Sequence, residues 1–421
     1  MGGDARSAAA SVAAAVREDR LWQRLMDMAA IGARPDGGVD RPALSPDDAA
    51  ARSLLASWAR EQGFSVSTDP IGNLFVRRAG REGGAAPVLT GSHLDTQPMG
   101  GKFDGAYGVM AGFEALQAMN DAGIETRRPV ELVAWTNEEG SRFQPGCMGS
   151  QVFAGALPLE KALVSVDRAG TTAREALAAV LAGEPEMAVR DAGLPVHAYI
   201  EAHIEQGPVL EEAGLHLGVV TGIQGYRWFA VEVLGEAAHA GTTPRARRRD
   251  AFMAAHAMVG ALRGIMEDAE DVARFTIGRF EGEPGSPNTV PSRVFFTIDL
   301  RHPEQGPLTR LGDAVEPLCR QHAGACEVRV TETFTAAPLV FDAGVLDTLR
   351  TAAGRQGIPY RELPSGAGHD AAFVAKLAPA GMLFVPCARG VSHHPAESAT
   401  PADLATGTRV LAEALAELAN R

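Results

Sequence analysis

Cysteine is scarce in this chain: four residues in 421, Cys147, Cys319, Cys326 and Cys387, with no Cys-x-x-Cys pair. That spacing excludes a zinc ribbon and a disulfide framework, and it fits reduced thiols in a cytoplasmic protein. Long apolar runs are missing too, and none reaches the length that spans a bilayer. The amino terminus, Met1 to Met26, is alanine-rich but broken by arginine and acidic residues. It reads as an amphipathic helix and lacks the unbroken apolar stretch of a signal peptide. Positive charge is in deficit. A formal net charge of −13 argues against nucleic acid and against an anionic membrane surface as partners. The one basic cluster, Arg245-Ala-Arg-Arg-Arg249, reads as a solvated loop face ahead of a helix. Two catalytic signatures are absent as well. Without His-Glu-x-x-His there is no thermolysin-type zinc site. Without Gly-x-Ser-x-Gly, the trio Ser365, His369 and Asp370 lacks the nucleophile elbow of a serine hydrolase.

What is present suits a globular enzyme with an ample core: 46% hydrophobic and 22% charged residues, in a length that predicts two domains. Up to about residue 220, helix-like and strand-like segments alternate: a helix near 46–62, strands near 71–77 and 86–90, a helix over 105–121 and a strand over 129–136. This order predicts an α/β domain, a mixed sheet with helices on both faces. Residues 196–205 alternate with period two, which puts Tyr199, Glu201, His203 and Glu205 on a polar strand face. After Gly222 the order becomes strand 228–234, helix 250–266 with Asp250 as N-cap, strands 275–280 and 293–300, helix 308–322 and strand 327–333. That β-α-β-β-α-β order is the ferredoxin-like unit. Helix 342–356 and strand 382–385 then resume the first pattern. The expected organisation is a metal-binding catalytic domain over 1–222 and 338–421, with an inserted α+β ferredoxin-like domain over 223–337.

Two buried strands end in metal-ligand chemistry. The apolar run 86–90 leads into Gly-Ser-His93-Leu-Asp95, and the run 129–136 leads into Asn-Glu138-Glu139-Gly. Open α/β sheets bind ligands beyond the carboxyl ends of such strands. Between them Asp104 opens a helical stretch; His203 and His393 stand beside Gly/Pro turns. Mixed imidazole and carboxylate donors suit zinc, manganese, cobalt or nickel, and a bridging carboxylate would make a two-metal hydrolase. Adjacent Glu138 and Glu139 point in different directions, so one is expected to hold metal while the other takes a proton from water. Asp95 is placed to orient the His93 ring.

These motifs resemble those of the N-carbamoyl-L-amino acid hydrolase and allantoate amidohydrolase family, dinuclear metal-dependent amidohydrolases related to aminoacylase and carboxypeptidase G. The resemblance runs from about residue 20 to the end, through GSHLDT (91–96), GKFDGAYGV (101–109), TNEEGSRF (136–143), EAHIEQGPVLE (201–211), AHAGTTP (238–244), PNTVPSRVFFTIDLRHP (287–303), SGAGHDA (365–371) and GVSHHPAE (390–397). It implies that His93, Asp104 and His203 hold one divalent ion and that Asp104, Glu139 and His393 hold a second, Zn2+ or Mn2+ with Co2+ or Ni2+ as further options. Glu138 is then the general base. Gln206, His239, Asn288, Arg301, the Gly366-Ala367-Gly368 loop and His369 are implied substrate contacts, with His239 also catalytic. The implied reaction cleaves the ureido C–N bond of an N-carbamoyl-L-amino acid, a small carboxylate-bearing substrate. Allantoate and β-ureidopropionate are alternative substrates, and a dipeptidase or N-acyl amino acid hydrolase is a more distant one. A metal-free scaffold protein would have lost a ligand, and none is lost. The inserted domain is implied to serve as a lid and as the interface of a homodimer.

Overall fold

The computed structural model describes residues 2–268 and 270–421. Contacts divide the chain into two compact units, Met1–Thr221 with Phe341–Arg421, and Gly222–Val340. Among the described residues no helix is long and apolar enough to cross a membrane.

In the first unit, the strands Ala380–Val385, Ala198–Ile204, Val88–His93 and Val130–Trp135 lie side by side and parallel. Antiparallel neighbours extend the sheet: Leu74–Arg78 and then Ser65–Thr68 beyond Val130–Trp135, and Gly218–Ile223 beyond Ala380–Val385. Every residue of the four parallel strands is buried, as their apolar runs require. The helix Ala106–Asp121 covers one face, where Gly112 lies against Leu132 and Thr90. Trp135 has the opposite parity to Leu132. On that other face it meets Phe75, Tyr199 and Phe153 of the helix Met148–Phe153. The structure is therefore mixed α/β.

Local chemistry fixes the ends of the helices. Ser45 caps Pro46–Glu61 through the Asp48 N–H, Asp250 caps Ala251–Met266 through Phe252 and Met253, and Asp342 caps Ala343–Arg355. The amino-terminal segment folds as two helices, Gly2–Ala15 and Glu18–Ala29.

In the second unit, Gly225–Leu234 lies between Arg293–His302 and Glu327–Ala336, antiparallel to both. Val294, Phe296, Ile298 and Leu300 alternate inward with Phe229, Val231 and Val233 and form one core with Met258 and Leu262 of Ala251–Met266. Two elements differ from the sequence reading. The strand over 275–280 is two short strands, Arg274–Thr276 and Phe280–Glu283, parted at Gly278, which offers the sheet no side chain. The helix over 308–322 is broken into Gln305–Asp313 and Val315–Gln321. Pro317 has no N–H to give the Asp313 carbonyl, so the helix cannot run through.

Candidate metal centre

Because the four central strands are parallel, their carboxyl ends share one edge, and the loops that follow them carry the polar residues. His93 ends its strand with Nδ1 2.8 Å from the Asp95 backbone carbonyl. That bond leaves Nε2 facing Asp104 Oδ1 at 3.8 Å and Glu138 Oε2 at 3.5 Å. His203 Nδ1 likewise bonds the Ile204 carbonyl at 2.9 Å, and its Nε2 stands 3.1 Å from Asp104 Oδ1. On the other side of Asp104, Oδ2 lies 3.1 Å from His393 Nε2, which is 3.5 Å from Glu139 Oε2. Two donor groups result, His93/Asp104/His203 and Asp104/Glu139/His393, each with ligand atoms within 4.8 Å of one another and with Asp104 common to both. Between the adjacent histidines, His393 reaches Asp104, whereas His394 accepts from the Ala396 N–H at 3.0 Å.

The turn that presents Asp104 depends on Gly105. Its φ is +64°, and an added Cβ would lie 2.3 Å from the His93 ring. Glu397 holds the same turn by accepting the Phe103 and Asp104 N–H groups at 2.8 and 3.0 Å. Gln97 grips Glu139 through its N–H at 3.0 Å and its side-chain amide at 2.8 Å. Neither Gln97 nor Glu397 stood out as a site residue in the sequence. Glu397 closes the GVSHHPAE motif, and that was the available signal.

Several residues expected in the site occupy different settings. The Asp95 carboxylate accepts the Glu138 and Glu139 N–H groups, both at 3.2 Å, so it shapes the Glu-Glu turn; the His93 Nδ1 bond goes to its backbone carbonyl, and its Oδ1 stands 3.8 Å from that nitrogen. Gln206 spends its amide N–H groups on Asp104 Oδ2 and Ser392 Oγ, at 3.1 and 3.0 Å. His369 is buried, with Nε2 2.8 Å from Ser365 Oγ in the turn that carries Gly366, Ala367 and Gly368. Asp370 bonds Ser150 and not His369, so no Ser-His-Asp triad forms. The polar strand face is also not solvated: Glu201 and His203 are 1% and 2% exposed. Glu201 takes Ser92 Oγ at 2.8 Å and the Ala371 N–H at 2.9 Å.

In the second unit His239 lies on a short strand opposite Thr289, and the Asn288 carbonyl just before that partner strand accepts the Ala240 N–H at 2.9 Å. His239 Nδ1 accepts the Gly241 N–H at 3.0 Å, which leaves Nε2 as the donor nitrogen. Arg301 makes a two-bond fork with Asp299, Nε to Oδ1 at 3.0 Å and Nη2 to Oδ2 at 2.7 Å, and lies over the Tyr226 ring.

Burial and crowding of like charge dominate the electrostatics. Burial, then the charges of Asp370 and Glu139, push the Glu138 carboxyl well up; burial, then Asp48 and Glu139, do the same to Asp95. Burial and Asp104 raise Glu139 to about 7. Asp104 goes the other way: burial would raise it, but hydrogen bonds to His203 and His393 hold it well below the usual range. Burial takes His93 down to about 4 and pushes His369 well below the usual histidine range. None of these carboxylates pairs with a lysine or arginine among the described residues, although Asp95, Asp104, Glu138 and Glu139 lie within one cluster. Imidazole nitrogens whose rings donate elsewhere also face it. Buried, unneutralised carboxylates beside such nitrogens are a donor set that fits divalent cations.

The metal-free protein should reveal these protons. The Asp104 hydrogen bonds push His203 and His393 to about 9, against 6.5 for an ordinary histidine. The folded chain therefore holds protons that the unfolded chain releases, so their stabilisation is complete below pH 6.5 and lost as pH rises to about 9. Glu139 and Glu397, each raised to about 7, add a loss of the same sign from about pH 4.5 upward. In calorimetry the Tm of chelator-stripped protein should fall between pH 6.5 and 9. A flat or rising Tm there would contradict the assignment.

The pattern of peptidase family M20/M25/M40 matches residues 89–417, from the strand that bears His93 into the last helix. The chain belongs to that family of metal-dependent hydrolases. Within it the resemblance is to carbamoylases. The N-carbamoyl-L-amino acid amidohydrolase of Geobacillus stearothermophilus is 41% identical over 411 residues, 96% of this chain and 99% of that protein. The corresponding enzyme of Rhizobium meliloti is 39% identical over 409 residues, 96% of this chain and 97% of that protein. A solved hydantoinase/carbamoylase-family amidase from Burkholderia multivorans superposes with a TM-score of 0.92 at 45% identity, over 96% of this chain and 98% of that one.

Proposed function

We propose that this protein hydrolyses the ureido C–N bond of an N-carbamoyl-L-amino acid to give the amino acid, carbon dioxide and ammonia. The observation that carries the reading is the shared Asp104, flanked by His203 and His393 at 3.1 Å each, in a chain similar end to end to carbamoylases. His93, Asp104 and His203 would hold one divalent ion, and Asp104, Glu139 and His393 the other. The ions are Zn2+ or Mn2+, with Co2+ or Ni2+ also compatible with these donors. Bound there, they would supply Lewis-acid charge for the attacking water and the scissile carbonyl.

The protein side of the chemistry falls to named groups. Glu138, whose carboxyl burial pushes up, takes a proton from the attacking water and passes it to the departing nitrogen. The Nε2–H of His239 and the Asn288 amide meet the developing oxyanion. The loop 366–369 lines the substrate, and Gln206 steadies Asp104. Residues 223–337 serve as lid and as the interface of a homodimer, and the protein works in the cytoplasm on a small ureido acid, with no nucleic-acid or membrane partner.

Ammonia release from N-carbamoyl-L-amino acids, allantoate and β-ureidopropionate, with free amino acid release from N-acyl amino acids, which yield no ammonia, tests the reading on zinc- and on manganese-loaded enzyme. Turnover should be highest on N-carbamoyl-L-amino acids. A preference for allantoate or β-ureidopropionate would move the substrate within the ureido acids, and a preference for N-acyl amino acids would overturn the class. Arg301, whose fork already binds a carboxylate in Asp299, is assigned to the substrate carboxylate. Arg301→Lys keeps the charge but loses the fork, so kcat/KM should fall roughly tenfold or more, a loss of one charge-assisted bond. Carboxamide analogues of the substrate should lose much less, and equal losses would show that Arg301 does not read the carboxylate.

A further inference from the structure

Cys147 is one of the four scattered cysteines, and none of the roles above uses it. It precedes the helix Met148–Phe153 in the left-handed region, at φ 49° and ψ 32°. Three backbone bonds lay its segment against the Glu-Glu turn: Cys147 N–H to the Glu138 carbonyl at 2.6 Å, Met148 to Asn137 at 3.1 Å and Gly149 to Thr136 at 2.8 Å. This ladder aims the side chain back at the residue its own N–H binds. Cys147 Sγ lies 3.1 Å from Glu138 Oε1. The other carboxylate oxygen, Oε2, faces His93 Nε2 at 3.5 Å. Cys147 belongs to neither donor group built on Asp104.

We infer that Cys147 is a positioning residue, whose thiol donates its hydrogen to Oε1 and holds the Glu138 carboxylate turned toward the reacting water. The inference rests on the reading of Glu138 as the base. A carboxylate on a flexible two-carbon stem has several rotamers, and a bond to one of its oxygens selects among them. Burial, and after it the charge of Glu138, push the Cys147 thiol well up, which keeps it a protonated donor and a poor nucleophile. A thiol is a weaker donor than a hydroxyl, so it orients the carboxylate without holding the proton that the carboxylate must collect.

Three variants of the metal-loaded enzyme test this. Cys147→Ala should lower kcat roughly tenfold, the order of one hydrogen bond to a charged group, with KM and metal content unchanged. Cys147→Ser keeps a donor and should restore most of that loss; the same left-handed backbone strain falls on both variants, so it cancels between them. The independent readout is infrared. The S–H stretch absorbs where proteins are otherwise clear, and it moves to lower frequency when the thiol donates to a carboxylate. The wild-type minus Cys147→Ala difference isolates one band, which should lie below those of the other thiols and move up in Glu138→Gln. If Cys147→Ala does not fold, Cys147→Ser takes its place: near-normal kcat with the low band gone supports the inference, and a low kcat overturns it.

An unshifted Cys147 band, an unchanged kcat in Cys147→Ala, or a loss that Cys147→Ser fails to restore would overturn the inference. Turnover surviving in Glu138→Gln would remove the base reading whatever the band does. An unshifted band with an inactive Glu138→Gln removes only the role of Cys147.

Discussion

Glu138→Gln should abolish turnover while leaving the metal content of the protein at the level of the parent. The two outcomes separate because the neighbouring glutamates have different partners. Glu139 lies 3.5 Å from His393 and is gripped by Gln97, inside a donor group with Asp104. Glu138 is outside both groups built on Asp104 and faces His93 and Cys147. Glutamine is close to isosteric with glutamate and keeps an acceptor for the Cys147 thiol, so the turn built on Asp95 should survive. What it cannot do is accept a proton from water. Loss of a general base typically costs roughly 10²–10⁴-fold in kcat. The measurement is ammonia release against metal content by elemental analysis. A fully loaded Glu138→Gln protein with near-normal kcat would show that another group takes the proton.

Much of this centre is legible in the sequence because parallel strands buried on both faces must be apolar, so a polar residue at a strand end stands out. His93, Glu138 and Glu139 are visible for that reason, and Asp104 because a glycine-flanked acid opens a helix. What period-two alternation cannot tell is what a polar face meets. Glu201 and His203 share a face as expected, yet that face is buried, and Glu201 meets Ser92 and the Ala371 N–H, both distant in sequence. The partner of Asp95 was illegible for a related reason. Its place two residues past His93 suggests contact with the ring, but the carboxylate turns to two N–H groups over forty residues away. Cys147 lies furthest from anything local pattern reveals. Its meaning comes from a backbone ladder between 136–138 and 147–149, and a single cysteine in a loop carries no sign of it.

Asp104→Asn should strip the centre of metal. Asp104 is the one carboxylate common to both donor groups, and each oxygen is committed: Oδ1 to His203, and Oδ2 to His393, Ser392 and Gln206. Asparagine preserves the shape, so the Phe103–Gly105 turn, held by Glu397 through backbone N–H groups, should persist. The substitution removes the central negative charge. It also sets an amide NH2 against one of two imidazole nitrogens 3.1 Å away, where it donates to the lone pair that an ion would need. Breaking a buried charged cluster at one member typically costs roughly 3–5 kcal/mol, and at 1.4 kcal/mol per tenfold that is a loss of affinity of over roughly a hundredfold. Two readouts follow. Dialysed Asp104→Asn protein should retain far less than the parent's metal. The Tm increase that zinc gives the stripped parent, worth about 4 kcal/mol when free ligand is a thousand times Kd, should largely vanish. Asp95→Asn is the control, since Asp95 touches Glu138 and Glu139 only through their N–H groups and should leave metal retention nearly intact. If Asp104→Asn kept the parent's metal content and thermal response, Asp104 would not join the two halves of the centre, and the His93 and His393 groups would have to be independent sites.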